Sequence, residues 1–281
     1  MPEAARGWPA PAKINLFLHV VGRRADGYHL LQTAFQFLDL ADCLHISVRQ
    51  DPAILRRGPL PGVPADEDLC VRAARLLQER TGTRLGAELA LDKRIPVGGG
   101  LGGGSSDAAT TLVALNRLWG TGLGEDELAA LGLELGADVP VFVRGRAAWA
   151  EGVGERLEPV TLPEPWYVLL VPPVSVSTAA VFADPQLTRD SPPITISDFL
   201  SGRGGNDCLP VVLRRYPEVA AAWRWLQARA PARLTGTGGC LYAPVASAAA
   251  ARRLAAEVPA PWRGLAARGL NRSPLGERLA G

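Results

Sequence analysis

Pro96-Val97-Gly98-Gly99-Gly100-Leu101-Gly102-Gly103-Gly104-Ser105-Ser106 carries six glycines within seven consecutive positions. A strand or helix interior does not support that density, because each glycine loses much backbone entropy and offers no side chain to bury. What the stretch permits is close approach of backbone N–H groups to a bulky anion. A helical run from about Ser106 to Trp119 follows, and the free N–H groups and positive dipole end at its start serve the same anion. Ser105 and Ser106 add hydroxyl donors at the junction. The stretch reads as a phosphate cradle. It is not of the Walker type, which needs a lysine directly before the Ser/Thr, where Gly104 stands here. Gly98, Gly100 and Gly103 match GxGxxG, but the acid expected about 20 residues on should end a strand. Glu125 and Asp126 stand near that distance at a helix start, which argues against a dinucleotide cofactor.

Working outward, residues 87–95 alternate as a strand leading into the cradle. Residues 12–20 alternate as a further strand. Ile14, Leu16, Leu18 and Val20 share one face, and Lys13, Asn15, Phe17 and His19 share the other. A turn follows at Ala25-Asp26-Gly27. Strand-like stretches within 30–49 are broken at Asp39 and Asp42, and 52–64 reads as loop. Glu67 to Arg80 has helical spacing closed by Thr81-Gly82. Glu125 to Leu135 is a helix with acids in its first turn and Gly136 past its end. Trp166 to Val171 is a short buried strand. Pro217 to Ala230 and Ser247 to Val258 are amphipathic helices, with strand-like Arg233-Leu234 and Cys240-Leu241-Tyr242 between them. Strands and helices mix without a regular βαβ rhythm, which predicts an α+β fold.

A chain of 281 residues has room for roughly two domains. Pro159, Pro163 and Pro165 mark the boundary, giving 1–162 and 163–281. The formal net charge of +2 offers no bulk attraction to nucleic acid or an anionic membrane. No apolar run reaches the about 18 residues of a membrane helix. Met1 to Gly7 has no apolar core of a signal peptide, so a cytoplasmic protein is expected. Cys43, Cys70, Cys208 and Cys240 are scattered, and with His19, His29 and His45 they form no metal-ligand spacing. Reduced thiols are expected. Lys13 and Lys93 are the two lysines among 30 basic residues, the rest being arginine. Their survival points to sites that want a compact ammonium rather than a planar fork.

Two further patterns bear on chemistry. Asp138, in Gly136-Ala137-Asp138-Val139-Pro140-Val141-Phe142, stands between a helix-ending glycine and what reads as an apolar strand. By itself it is a turn or cap residue. Beside a phosphate cradle it suits proton removal from an attacking hydroxyl, with Lys13 as the ammonium that keeps it ionised. Tyr28-His29, after the turn, serves packing or recognition. Leu234-Thr235-Gly236-Thr237-Gly238-Gly239-Cys240 is a second glycine-rich loop, and two such loops suggest a cleft with backbone donors on both walls.

In this order, Pro11-Ala12-Lys13-Ile14-Asn15-Leu16, Asp26-Gly27-Tyr28-His29, Pro96 to Ser106, Gly136 to Pro140 and Leu234 to Cys240 resemble the GHMP kinase superfamily, over about Pro11 to Pro274. The Tyr28-His29 block and the closing Gly269-Leu270-Asn271-Arg272-Ser273-Pro274-Leu275 resemble a member whose acceptor carries a cytidine diphosphate moiety, more than mevalonate- or homoserine-type members. The resemblance implies an N-terminal domain like the second domain of ribosomal protein S5 and a ferredoxin-like C-terminal domain, with the acceptor between them. It implies ATP and Mg²⁺, a small-molecule acceptor phosphorylated on its 2-hydroxyl, no nucleic-acid or membrane partner, and a monomer or homodimer. Lys13 and Asp138 match the catalytic pair. Pro96, Val97, Gly98, Gly99, Gly100, Leu101, Gly102, Gly103, Gly104, Ser105 and Ser106 match the ATP phosphate loop. Asn15, Tyr28 and His29 match acceptor-holding residues, with His29 on the cytosine edge and Tyr28 and Phe182 on its two faces. Ser105 or Ser106, with phosphates and water, would hold the metal. Lys93 lies near the nucleotide or on solvated surface. Asp107 stands where the family more commonly has Asn and is expected to matter little.

Overall fold

The computed structural model describes residues 7–60 and 62–280. Residues 1–6, on which the expectation of no leader segment rests, lie outside them. The chain opens with two long antiparallel strands, β1 (Trp8–Arg23) and β2 (His29–Arg49), then β3 (Ile54–Arg57). The helix α1 (Leu69–Thr81) and strand β4 (Gly86–Asp92) lead into the glycine loop and α2 (Gly103–Trp119). Next come α3 (Glu125–Leu135), α4 (Val139–Arg144), β5 (Ala148–Glu151) and β6 (Arg156–Pro159). Beyond the proline-rich linker lie β7 (Trp166–Val171), α5 (Thr178–Phe182), α6 (Ile196–Leu200), α7 (Leu209–Arg215) and α8 (Pro217–Gln227). The chain closes with β8 (Arg233–Leu234), β9 (Leu241–Val245), α9 (Ala248–Ala256), β10 (Arg263–Leu270) and α10 (Pro274–Ala280).

The strands hydrogen-bond in the order β3-β4-β2-β10-β7-β9-β8, with β1 and β5 also on β2. One edge of β2 is covered by β1 over residues 29–44. The other is shared by β5 at 33–35, β10 at 37–38 and β4 at 43–49. Asp39 and Asp42, expected as breaks, sit inside β2 where this edge changes partner. There each carboxylate takes up N–H groups that the changeover would otherwise strand. Asp39 accepts from Arg268 N at 2.7 Å, and Asp42 accepts from Ile95 N at 2.8 Å and from Arg94 N. The strand therefore continues through both acids.

Among the described residues four buried clusters follow from this layering, the smallest of them Phe17, Ala34 and Trp149. Helices α1 to α4 pack on the first sheet through Leu77, Leu112, Leu115 and Phe142 against Phe37, Leu44, Ile46 and Leu89. In the second half Val168, Leu170 and Leu241 pack against Val211, Val219 and Leu226. Between them Ile14, Leu38, Leu101, Tyr167, Leu169 and Tyr242 form a third cluster. It fastens the glycine loop by Leu101, which is 1% exposed, while Val97 of the same loop is exposed. The expected continuous face of β1 is split. A bulge between Asn15 and Leu18 sends Ile14 into the third cluster and Leu18 and Val20 into the second.

The linker marked by Pro159, Pro163 and Pro165 is clamped by Asn271. Its Oδ1 accepts from Leu162 N at 2.8 Å and its Nδ2 donates to Leu162 O at 2.7 Å. Gln36 of β2, fully buried, donates to Pro163 O and accepts from the Tyr167 hydroxyl, both at 2.7 Å.

Candidate active site

The glycine loop takes its shape from positions where only glycine fits. Gly98, Gly100 and Gly102 have φ of 74°, 77° and 71°, the left-handed region that L side chains rarely adopt. At Gly102 a Cβ would also lie 2.7 Å from Phe142 Cζ and 3.1 Å from Lys13 Cε. Its absence lets the lysine reach the start of α2. That helix begins at Gly103, three residues before the expected Ser106, so Gly103, Gly104, Ser105 and Ser106 form its first turn. Ser106 N already donates to Gly102 O at 2.9 Å, while the N–H groups of Gly103, Gly104 and Ser105 have no intrahelical acceptor and are aimed along the positive dipole end. The second glycine loop lies directly on the first. A Cβ on Gly238 would sit 2.4 Å from Gly100 N. Cys240 N donates to Gly99 O at 3.1 Å and Thr235 Oγ1 to Gly100 O at 3.2 Å. Residues 238–240 thus brace the cradle from behind, while Gly236 and Thr237 reach the cavity in front.

Lys13 and Asp138 meet at the mouth of this cradle, 3.1 Å apart. The lysine side chain is 4% exposed and the aspartate 36%. Lys13 Nζ also donates to Asn15 Oδ1 at 2.7 Å, and Asn15 Nδ2 donates to Thr33 Oγ1 at 2.9 Å. Asn15 is buried, so its side chain orients the lysine as well as lining the cavity. Asp138 occupies the N-cap position of α4 but makes no capping bond, which leaves its carboxylate to Lys13. The apolar run after it is helix rather than the expected strand. Val139 to Val143 are buried on every side, and a short fully apolar run carries no periodicity to separate the two.

Lys93 lies in a second charged cluster behind the loop. Its ammonium is 2.8 Å from Asp107 and also pairs with Asp42. Asp107, expected to matter little, is buried and pushed up to about 7 by burial, against the pull of Lys93 and with the help of Asp42. Burial works against the Lys93 cation, but the two acids outweigh it and raise its pKa. Lys93 is therefore not a solvated surface residue but half-buried and ion-paired, lining the cavity at the glycine loop. Its residue type was the legible signal, while Asp42 and Asp107 carried none that pointed to each other.

Two cavities meet at the loop. One of about 350 Å³ is lined by Leu69, Leu91, Lys93, residues 96–104 and Asp107. The other, of about 840 Å³, is lined by Lys13, Asn15, Asp138, Ser105, Tyr28, His29 and Phe182. Gly100 and Gly102 face both. The first has room for a nucleoside, and the second for a larger polar molecule. Tyr28 is 65% exposed at the rim. Phe182 stacks on His29, with centroids 4.9 Å apart and planes at 23°. The resemblance implied that Phe182 would face Tyr28 across a base. The His29 contact was not legible because it depends on α5 reaching the start of β2.

Family models match in both halves, the GHMP kinases N terminal domain at residues 68–146 and the GHMP kinases C terminal at 195–264. The chain belongs to the GHMP kinase family and has its two-domain α+β fold. Within the family it is 61% identical over 277 residues to the 4-diphosphocytidyl-2-C-methyl-D-erythritol kinase of Alkalilimnicola ehrlichii, covering 99% of this chain and 95% of that one. It is 59% identical to the kinase of the same name from Nitrosococcus oceani, covering 95% and 96%. A crystal structure of 4-(cytidine 5'-diphospho)-2C-methyl-D-erythritol kinase superposes with a TM-score of 0.83 at 35% identity, covering 94% and 98%. A mevalonate kinase structure superposes at 0.69 with 16% identity, a likeness of fold alone.

Proposed function

We propose that this chain transfers the γ-phosphoryl group of ATP to the 2-hydroxyl of 4-diphosphocytidyl-2-C-methyl-D-erythritol, on the non-mevalonate route to isoprenoid precursors. The observation that carries the proposal is the Lys13–Asp138 pair, set between the start of α2 and a cavity that also holds Tyr28 and His29. Residues 1–162 supply the pair and the loop, and 163–281 close the acceptor cavity with Phe182 and Thr237. No helix among the described residues is long and apolar enough to cross a membrane. The proposed setting is the cytoplasm, as a monomer or homodimer without a nucleic-acid partner.

The ATP phosphates rest on the first turn of α2, with the nucleoside in the smaller cavity. Cytosine lies at His29 and against Tyr28 and Phe182, which brings the 2-hydroxyl to Asp138. As the hydroxyl oxygen bonds to the γ-phosphorus and ADP leaves, Asp138 accepts the hydroxyl proton. Lys13 keeps that carboxylate ionised and offsets charge on the transferring group. Among the described residues no cluster of three His, Cys, Asp or Glu could cage a metal. The Ser106 hydroxyl, however, is buried without a hydrogen-bond partner, and Ser105 faces the acceptor cavity. These hard oxygen donors fit a Mg²⁺ ion carried by the phosphates, held by Ser105 or Ser106 with water. When bound, that ion supplies neutralisation of phosphate charge.

The deciding experiment measures ADP release from Mg·ATP with four acceptors: the cytidine compound, its uridine analogue, mevalonate and homoserine. Turnover with the cytidine compound supports the proposal. Turnover with mevalonate or homoserine in its place would keep the kinase and overturn the acceptor.

A further inference from the structure

Arg189 ties both aromatic walls of the acceptor cavity together. Its Nε donates to His29 Nε2 at 3.1 Å. Its terminal nitrogens donate to Leu187 O at 3.0 Å, and to Phe182 O and Asp184 O at 2.8 Å each. The guanidinium thus fastens the end of α5 and the turn after it to the first residue of β2. This strap also holds the Phe182 ring on the His29 imidazole.

Arginine has donors only, so a ring nitrogen facing it must carry a lone pair. In a neutral imidazole the proton then resides on the other nitrogen, and the bond made by one ring nitrogen sets the role of its partner. His29 Nδ1 has no hydrogen-bond partner among the described residues, and His29 lines the cavity. The ring is held neutral by burial first and by the cations Arg189 and Arg23 next, which together lower its pKa from 6.5. Arg23 and Asp26 are the charged side chains that line the cavity beside it.

We propose that Arg189 is a positioning residue that locks His29 in the Nδ1–H form, so that the ring offers a donor to the base and selects cytosine over uracil. Cytosine presents an unprotonated N3, which accepts such a donor. Uracil presents N3–H, which would face it donor to donor and leave both groups unpaired in the cavity. A site built to pair one edge rejects the mismatched edge strongly, because buried polar groups lose their partners. The inference rests on the cytidine acceptor proposed above, and its test separates the two.

The first measurement is the ¹⁵N spectrum of the histidine side chains in the unliganded protein at pH 8. With three histidines in the chain, a His29→Gln variant assigns the His29 signals. The expected result is a protonated Nδ1 and an unprotonated Nε2 in the native protein, moving toward the ordinary Nε2–H form in Arg189→Gln and Arg189→Lys. Glutamine keeps a donor for the carbonyls and lysine keeps the cation, so one of the two retains the fold should the other lose it. The second measurement is kcat/KM for the cytidine acceptor over its uridine analogue. Both variants are expected to lower that ratio about tenfold or more, through KM of the acceptor, with KM for ATP unchanged. A native His29 protonated on Nε2, or a cytidine preference untouched by either variant, would overturn the inference. A native enzyme that ignored the cytidine acceptor would overturn the acceptor reading, and the spectra would still judge what Arg189 does to the ring.

Discussion

Lys13 and Lys93, the two lysines of an arginine-rich chain, both end in ion pairs beside the glycine loop. The Lys13 stem runs close past Gly102, where a Cβ would lie 3.1 Å from Lys13 Cε and 2.7 Å from Phe142 Cζ. At Asp138, replacement by alanine removes the group that takes or orients the hydroxyl proton. We expect kcat to fall by about 10²–10⁴ in steady-state assays, and an unchanged kcat would remove Asp138 from the reaction. Tyr28→Ala should mainly raise KM for the acceptor, since the ring is exposed at the rim and holds no other element in place. A change confined to KM for ATP would contradict its placement. Asp107 gives a pH prediction. In the folded chain its carboxyl holds a proton up to about 7, whereas an ordinary one releases it near 3.8. Its contribution to stability therefore declines as pH rises through that window. Asp107→Asn should raise Tm at pH 8 and change it little at pH 4. Equal Tm differences at both pH values would show that Asp107 does not titrate there.

Elements were legible wherever local chemistry sets them. Asp68 caps α1 by accepting from Cys70 N, and Gly82 closes it at φ 67°, within two residues of the expected limits. Helix α3 keeps the expected bounds because its acids and flanking glycines are local signals. The expected strand after Asp138 is a helix, and β2 runs through two acids, for one reason. In both places the backbone is decided by packing and hydrogen-bond partners outside the segment itself. The glycine loops show the same coupling. Their compositions are obvious, but their mutual contact is not. Gly238→Ala would drive a methyl group into the Gly99–Gly100 backbone. It should cut kcat/KM for ATP at least about tenfold and destabilise the fold by about 1–3 kcal/mol. Gly205→Ala, which meets nothing within 4 Å, is the control. Equal behaviour of the two variants would show that the cradle does not need its brace.

Across the whole molecule, β10 joins the halves. Although near the end of the chain, it pairs with β2 through Gly269 and Leu270 and with β7 through Arg263 to Arg268. The residues just after it clamp the linker through Asn271. The closing block that marks the resemblance thus fastens the linker to the sheet, with Leu270 pairing Phe37 across from Lys13. With a shared buried cluster as well, the halves should unfold together. Calorimetry is expected to show one transition with matching calorimetric and van't Hoff enthalpies. Two separate transitions would mean that β10 belongs energetically to one half.

The phosphate cradle, the helix that follows it, the pairing of Lys13 with Asn15 on one strand face and the family were readable from residue order. Each depends on glycine conformations, strand alternation or motif succession, which are properties of neighbours along the chain. The Asp42–Lys93–Asp107 cluster, the brace between the glycine loops, the stacking of Phe182 on His29 and the Arg189 strap were decided by tertiary structure. Their members lie 14 to 160 positions apart. Burial and hydrogen bonding act on distance in space, and the sheet that brings β1, β2, β7 and β10 together sets those distances only once the chain has folded.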